Sequence, residues 1–218
     1  RQSKSAQKVW KKLPINERVR TIIRAYQHLD QYADSLSELL AREMGKDIRR
    51  ATGEATGAIY MGQHYAEEAH RALNTRKLSG STELQYRPLG VVGVISPWNY
   101  PVMMANNLIV PALVAGNSVI LKPSEETPLI AQAFFGELQK HLPDGVLTIV
   151  QGDGETGKAL VEGDIQMIAF TGSKATGQDI MTRAASKVKR LVMELGGKDP
   201  MIVMRDANLE QAARFAVA

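Results

Sequence analysis

The chain is predicted to be an α/β protein in which N-terminal helices precede a mainly parallel sheet with helices on both faces. Two observations predict it. Apolar residues recur at threes and fours from Pro14 to about Leu73, and from Pro88 onward short β-branched runs alternate with helical stretches. Parallel neighbours need a crossover of a dozen or more residues, so that alternation reads as βαβ units.

The first helical stripe is Val19, Ile22, Ile23, Tyr26 and Leu29, continued by Leu36, Leu39, Leu40 and Met44. It is the pattern of amphipathic helices packing on one side. Gly45 reads as a C-cap and Asp47 as the start of the next helix. Ala51, Ala55, Ala58, Ile59 and Gly62 form a small-residue face that a neighbouring helix could approach closely. Leu73 to Arg87 is polar, with alternation at Thr82, Leu84 and Tyr86, and is expected to be an exposed strand or hairpin arm. Residues 1–87 are thus read as helices plus arm, and 88–218 as the sheet region of the same domain. Strands are expected at Val91–Ile95, Ser118–Leu121, Leu147–Val150, Gln166–Phe170, Val188–Met193 and Met201–Val203, with a final helix from Asn208 to Ala218.

Composition excludes several classes of function. At 218 residues and 44% hydrophobic, the chain can bury a core without crosslinks. It contains no cysteine, so disulfides, thiolate metal sites and a thiol nucleophile are absent from these residues. No apolar run reaches membrane-spanning length and no signal-peptide pattern opens the chain, so a cytoplasmic protein without membrane partners is expected. The net charge of +4 is dispersed, which argues against nucleic acid. The four histidines show no metal-helix spacing, so no metal is expected.

Ligands of parallel sheets sit beyond the carboxyl ends of strands. The segments there are Ser96-Pro97-Trp98-Asn99, Lys122-Pro123-Ser124-Glu125, Gly152-Asp153-Gly154, Thr171-Gly172-Ser173 and Glu194-Leu195-Gly196-Gly197. Prolines at 97 and 101 stiffen the first of these, so the Asn99 amide sits on a segment that can position a donor. Gly152-Asp153-Gly154-Glu155-Thr156-Gly157 spells a dinucleotide fingerprint and, with Lys158, almost a triphosphate loop. Ala159 stands where the magnesium-binding hydroxyl would be needed, and two acids within the loop would repel phosphates. The acid expected about twenty residues further on is also missing. A plain turn is therefore the better reading. Ser173 offers a second phosphate site, capping a helix whose free amides can face an anion.

Pro97-Trp98-Asn99-Tyr100-Pro101, Gly116-Asn117 leading to Leu121-Lys122-Pro123-Ser124-Glu125-Glu126-Thr127-Pro128, Phe170-Thr171-Gly172-Ser173 and Glu194-Leu195-Gly196-Gly197-Lys198 stand in one order and spacing. Together they resemble the aldehyde dehydrogenase superfamily, over its N-terminal, cofactor-binding part. The resemblance implies a Rossmann-like fold and NAD or NADP as cofactor. Asn99 would donate to the oxyanion formed from an aldehyde substrate, and Glu194 would be the general base. Ile95, Ser96, Pro97 and Trp98 would line the cofactor cleft, and Lys122 and Glu125 would address the adenosine ribose. Ser124 leaves room for a 2′-phosphate, Gly154 would border the adenine, and Ser173 would meet the pyrophosphate. Phe170, Thr171, Gly172, Leu195 and Gly196 complete the cofactor set. Tyr100, Met103, Met104 and Asn107 are candidates for the near wall of a substrate tunnel, while no lysine occurs between Pro101 and Pro111, where several subgroups place one.

Family members carry their nucleophilic cysteine beyond the Glu-Leu-Gly-Gly segment, so the 218 residues by themselves are expected to be inactive. Starting without Met, they read as a fragment of an enzyme that oxidises an aldehyde through a cysteine thiohemiacetal and thioester and that is a homo-oligomer at full length. The alternative is a naturally truncated, non-catalytic homologue serving as a nucleotide-binding or subunit-interaction module.

Overall fold

Five parallel strands form the centre of the structure, a computed structural model that describes residues 1–217. They are β3 (Val91–Ile95), β4 (Ser118–Lys122), β5 (Leu147–Ile149), β6 (Met167–Gly172) and β7 (Arg190–Leu195), in the order β5-β4-β3-β6-β7. Each consecutive pair is joined through one helix: α5 (Pro101–Val114), α6 (Pro128–Lys140), α7 (Gly154–Glu162) and α8 (Lys174–Ala185). The chain winds outward from β3 to β5, then returns to the other side of β3 with β6 and β7. That reversal opens a crevice at the carboxyl ends of β3 and β6, the usual place for a ligand in such a sheet.

Alternation along the strands divides the core. Val92, Val94, Val119, Leu121 and Ala169 face the larger apolar cluster, built with the N-terminal helices, α5 and α6. Val91, Ile95, Ile168 and Phe170 face the smaller cluster, built with α7 and α8 through Val161, Ile180 and Ala184. All five residues of β3 are buried, as a strand covered on both faces requires.

The N-terminal part consists of α1 (Gln2–Trp10), α2 (Ile15–Leu29), a 3-10 turn (Asp30–Tyr32), α3 (Ala33–Met44) and α4 (Ile48–Ala72). Gly45 ends α3 in the left-handed conformation (φ 70°), and the Asp47 side chain accepts from Arg49 N–H to start α4. The small face of α4 is buried, and at Gly62 an added Cβ would lie 2.1 Å from the Tyr26 ring. Tyr26 OH donates to Asn106 Oδ1 (2.6 Å), and Asn106 Nδ2 donates to Ala58 O (2.7 Å), which ties α2, α4 and α5 together. Sequence periodicity did not reveal α1, whose side chains serve the end of α5. Trp10 Nε1 donates to Leu113 O (2.9 Å) and Gln7 Nε2 to Gly116 O (3.0 Å), which fastens α1 to the end of α5 and the turn after it.

The expected arm forms as a two-residue antiparallel pair, β1 (Arg76–Lys77) with β2 (Glu83–Leu84). Strands β6 and β7 end two residues later than expected, because Thr171↔Glu194 and Gly172↔Leu195 extend their ladder. The strand expected at Met201–Val203 does not form. Those residues are exposed, and no described strand lies beyond β7 to supply ladder partners. The last helix, α9, runs Leu209–Val217, and the Ala218 end of the expected helix lies outside the described residues. No described helix is long and apolar enough to cross a membrane.

Candidate functional site

Two adjoining clefts open at the carboxyl edge of the sheet. One, of about 580 Å³, is lined by Ile95, Ser96, Pro97 and Trp98 after β3, Lys122, Ser124 and Glu125 after β4, Gly154 on α7, and Phe170, Thr171, Gly172 and Ser173 after β6. The other, of about 830 Å³, shares Pro97, Trp98, Thr171, Gly172 and Ser173 and adds Asn99, Glu194, Leu195 and Gly196. All the residues expected to be catalytic or to bind the cofactor therefore lie on one continuous surface. Volumes in this range accommodate ligands of cofactor size.

The local chemistry of the first cleft is polar where a sugar diol and an anion could sit. Lys122 is nearly buried at the end of β4, and its Nζ donates to Glu125 Oε2 at 2.7 Å. That bond holds the Glu125 carboxyl below the ordinary carboxylate range, with a contribution from backbone hydrogen bonding, so an ionised acceptor faces the cleft. Ser96 Oγ is buried without a hydrogen-bond partner, an orphaned group that a bound molecule could satisfy. Ser173 caps α8, accepting from Thr176 N–H (3.2 Å). These features fit a dinucleotide.

Asp153 decides the apparent glycine fingerprint. Its carboxylate accepts from Glu155 N–H (2.9 Å) and Thr156 N–H (3.4 Å), so an acid already occupies the amides at the start of α7. An anionic phosphate finds no cradle there. Gly154 touches the cleft without offering a phosphate loop.

In the second cleft, Asn99 Oδ1 accepts from Tyr100 N–H (3.1 Å), and Nδ2 has no partner among the described residues. The donor end of the amide is the end left for a ligand. Glu194 lies on the exposed face of β7, on the same side as Val192. Of the tunnel-wall candidates, Met104 and Asn107 line this cleft, together with Leu108. Tyr100 and Met103 do not. The Tyr100 ring lies 4.0 Å beneath the Lys46 ammonium, and Met103 packs against Gly57 in the core, because the start of α5 turns those side chains toward α4.

Sequence reading missed the support behind Asn99. The Glu54 side chain on α4 is fully buried; it pairs with Lys46 and accepts from Val102 N–H (3.3 Å) and Met103 N–H (3.4 Å) at the start of α5. Lys46 Nζ also donates to Asn99 O (2.9 Å). A carboxylate at a helix N-terminus is favoured by the unpaired amides and the helix dipole. Glu54 lies more than forty residues before α5, and no local pattern marks it.

Comparison with known proteins then settles the family. The family model described as "Aldehyde dehydrogenase family" matches residues 1–218. The chain belongs to the aldehyde dehydrogenase family. It is 38% identical to the D-glyceraldehyde dehydrogenase (NADP(+)) of Picrophilus torridus, over 99% of this chain and 45% of that protein. It is 39% identical to the mitochondrial succinate-semialdehyde dehydrogenase of Arabidopsis thaliana, over 96% of this chain and 41% of that one. Among solved structures, an NADP-dependent glyceraldehyde-3-phosphate dehydrogenase from Bacillus halodurans, complexed with NADP, superposes with a TM-score of 0.90 at 39% identity. That likeness covers 97% of this chain and 47% of the other. The chain thus spans less than half the length of these aldehyde dehydrogenases.

Proposed function

We propose that this chain is the cofactor-binding part of an NAD(P)-dependent aldehyde dehydrogenase that converts an aldehyde to a carboxylic acid. The observation that carries the reading is the Lys122–Glu125 pair facing Ser96 and Ser173 across the crevice where the strand order reverses. Glu125 accepts from ribose hydroxyls while Lys122 holds its carboxylate in place and donates alongside it. Ser124 and Lys122 leave NADP admissible, in keeping with the NADP-dependent relatives. Ser173 and the first turn of α8 meet the pyrophosphate, and Trp98 covers the cleft wall.

A nicotinamide held in this cleft would supply the acceptor for the hydride that leaves the substrate carbon. The chain's own residues act on protons and charge. Asn99 Nδ2 donates to the oxygen that gains charge as a thiolate adds to the carbonyl, and a preorganised donor of this kind is worth about 3–4 kcal/mol. Glu194 takes a proton from the water that hydrolyses the acyl group. The 218 residues contain no cysteine, so the thiolate of this mechanism is not among them. We assign residues 1–87 and 88–218 to one cofactor-binding domain, joined through the larger core cluster. Exposed Leu84 and Tyr86 on the arm support subunit pairing in the full-length enzyme.

Calorimetric titration with NAD and NADP tests the reading. Saturable binding that weakens in Glu125→Ala is expected. Binding of either nucleotide unchanged by Glu125→Ala and Lys122→Ala together would remove the cleft from consideration.

A further inference from the structure

Away from the nucleotide cleft, the last turns of α2 and α6 bring three metal-ligating side chains together. His28 Nε2 lies 3.3 Å from Glu137 Oε1, and His141 Nε2 lies 3.8 Å from the same oxygen. Donor atoms of all three fall within 4.8 Å of one another, and the two imidazole centroids are 3.9 Å apart. Tetrahedral zinc with ligand bonds of about 2.0–2.1 Å sets its donors about 3.4 Å apart, so these separations approach the edges of one coordination polyhedron.

We propose that His28, Glu137 and His141 form a binding site for a borderline divalent transition ion, Zn²⁺ in particular, that clamps α2 to α6. The donor set is two imidazoles and one carboxylate, which suits zinc and leaves a fourth position for water. A cavity of about 500 Å³ lined by Tyr32, Gln132, Gly136 and Lys140 adjoins Glu137 and gives that water room.

The surroundings prepare the ligands. Lys140 Nζ pairs with Glu137 Oε2, leaving Oε1 turned to both histidines, so the carboxylate is oriented for one-oxygen ligation. Glu137 is 14% exposed, whereas the histidines are each about one-third exposed, at 34% and 36%. The site is thus anchored on its carboxylate and open to solvent through its imidazoles. Gln31 Nε2 donates to His28 O and lies 3.1 Å from His28 Nδ1 and 3.3 Å from His28 Nε2, so this exposed amide lies along the imidazole edge and swings clear of Nε2 when the ion binds. His28 stands more than a hundred residues from the other two, so the set exists only in the folded chain, and metal bound there links α2 to α6.

Zinc titration of the full chain by calorimetry in chelator-free buffer, paired with thermal unfolding, tests the site. One ion per chain is expected, with a rise in Tm of several degrees. His28→Gln and His141→Gln should each weaken binding by roughly tenfold or more, since losing even an outer-shell partner of a ligand costs about that much. The double variant should lose the Tm response while keeping the wild-type far-ultraviolet circular dichroism. Co²⁺ in place of zinc should give visible absorption bands that vanish in the double variant. An unchanged isotherm in the double variant, or no saturable zinc binding by the wild type at submillimolar concentration, would overturn the proposal.

Discussion

Replacing Glu54 by Gln should destabilise the chain by about 3 kcal/mol, the lower end of the cost of breaking a buried ion pair from one side. The Glu54 side chain is fully buried and that of Lys46 is 12% exposed, so water does little to replace the lost partner. Two features hold the cost down. An amide still offers an oxygen to Val102 and Met103 N–H, and Lys46 keeps Asn99 O and the face of Tyr100. At roughly 2–4 °C per kcal/mol for a chain of this size, Tm should fall by about 6–12 °C. Thermal unfolding followed by circular dichroism measures it, with Lys46→Met and the double variant closing a cycle. The double variant should be less destabilised than the sum of the singles, with a coupling of at least ~1 kcal/mol. A loss under about 0.5 kcal/mol for Glu54→Gln, the scale of ordinary surface changes, would refute the claim that this pair holds the Asn99 turn. So would strict additivity.

Glu125→Ala should weaken NAD more than NADP, since a carboxylate beside the ribose favours hydroxyls over a 2′-phosphate; parallel titrations with the two nucleotides measure the ratio. Because Lys122 depresses the Glu125 pKa, the stability of this pair is present above the ordinary carboxylate range and is lost as pH falls through the lowered value. Glu125 is half exposed, so Glu125→Gln should flatten the acid limb of a stability-against-pH curve, read from chemical denaturation, by less than about 1 kcal/mol. Gly62→Ala should cost about 1–3 kcal/mol by overpacking against the Tyr26 ring, read from chemical denaturation. On the proposed function, Asn99→Ala in a longer chain that carries the thiolate should lower kcat about 10²–10³-fold with little change in nucleotide affinity, measured by steady-state kinetics.

Much of this was legible in the sequence because it depends on local chemistry. β3 is a five-residue apolar run too short and too β-branched to be a comfortable helix, and it forms at Val91–Ile95 as expected. Gly45 and Asp47 punctuate helices through their own backbone needs. The motif residues from Ile95 to Gly196 follow strand ends, and a parallel sheet delivers every strand end to the same edge, so recognising the alternation was enough to gather them. The glycine fingerprint misleads as a pattern for a local reason too: Asp153 spends its carboxylate on the amides a phosphate would need.

What only the tertiary structure decided involves partners far apart in the chain. Met201–Val203 has strand composition but no neighbour to pair with, and a ladder needs two strands. α1 carries too weak a stripe to announce itself, yet Gln7 and Trp10 close the end of α5 a hundred residues later. Glu54 looks like a solvated helix acid until α5 lays its free amides over it, and His28 looks like a surface histidine until α6 brings Glu137 and His141 alongside. Backbone preference and side-chain period are properties of a few consecutive residues, so the sequence alone determined most of the elements and the edge on which the site stands. Desolvation and convergence of charges depend on what packs from elsewhere, so the support behind Asn99 and the histidine cluster belong to the fold.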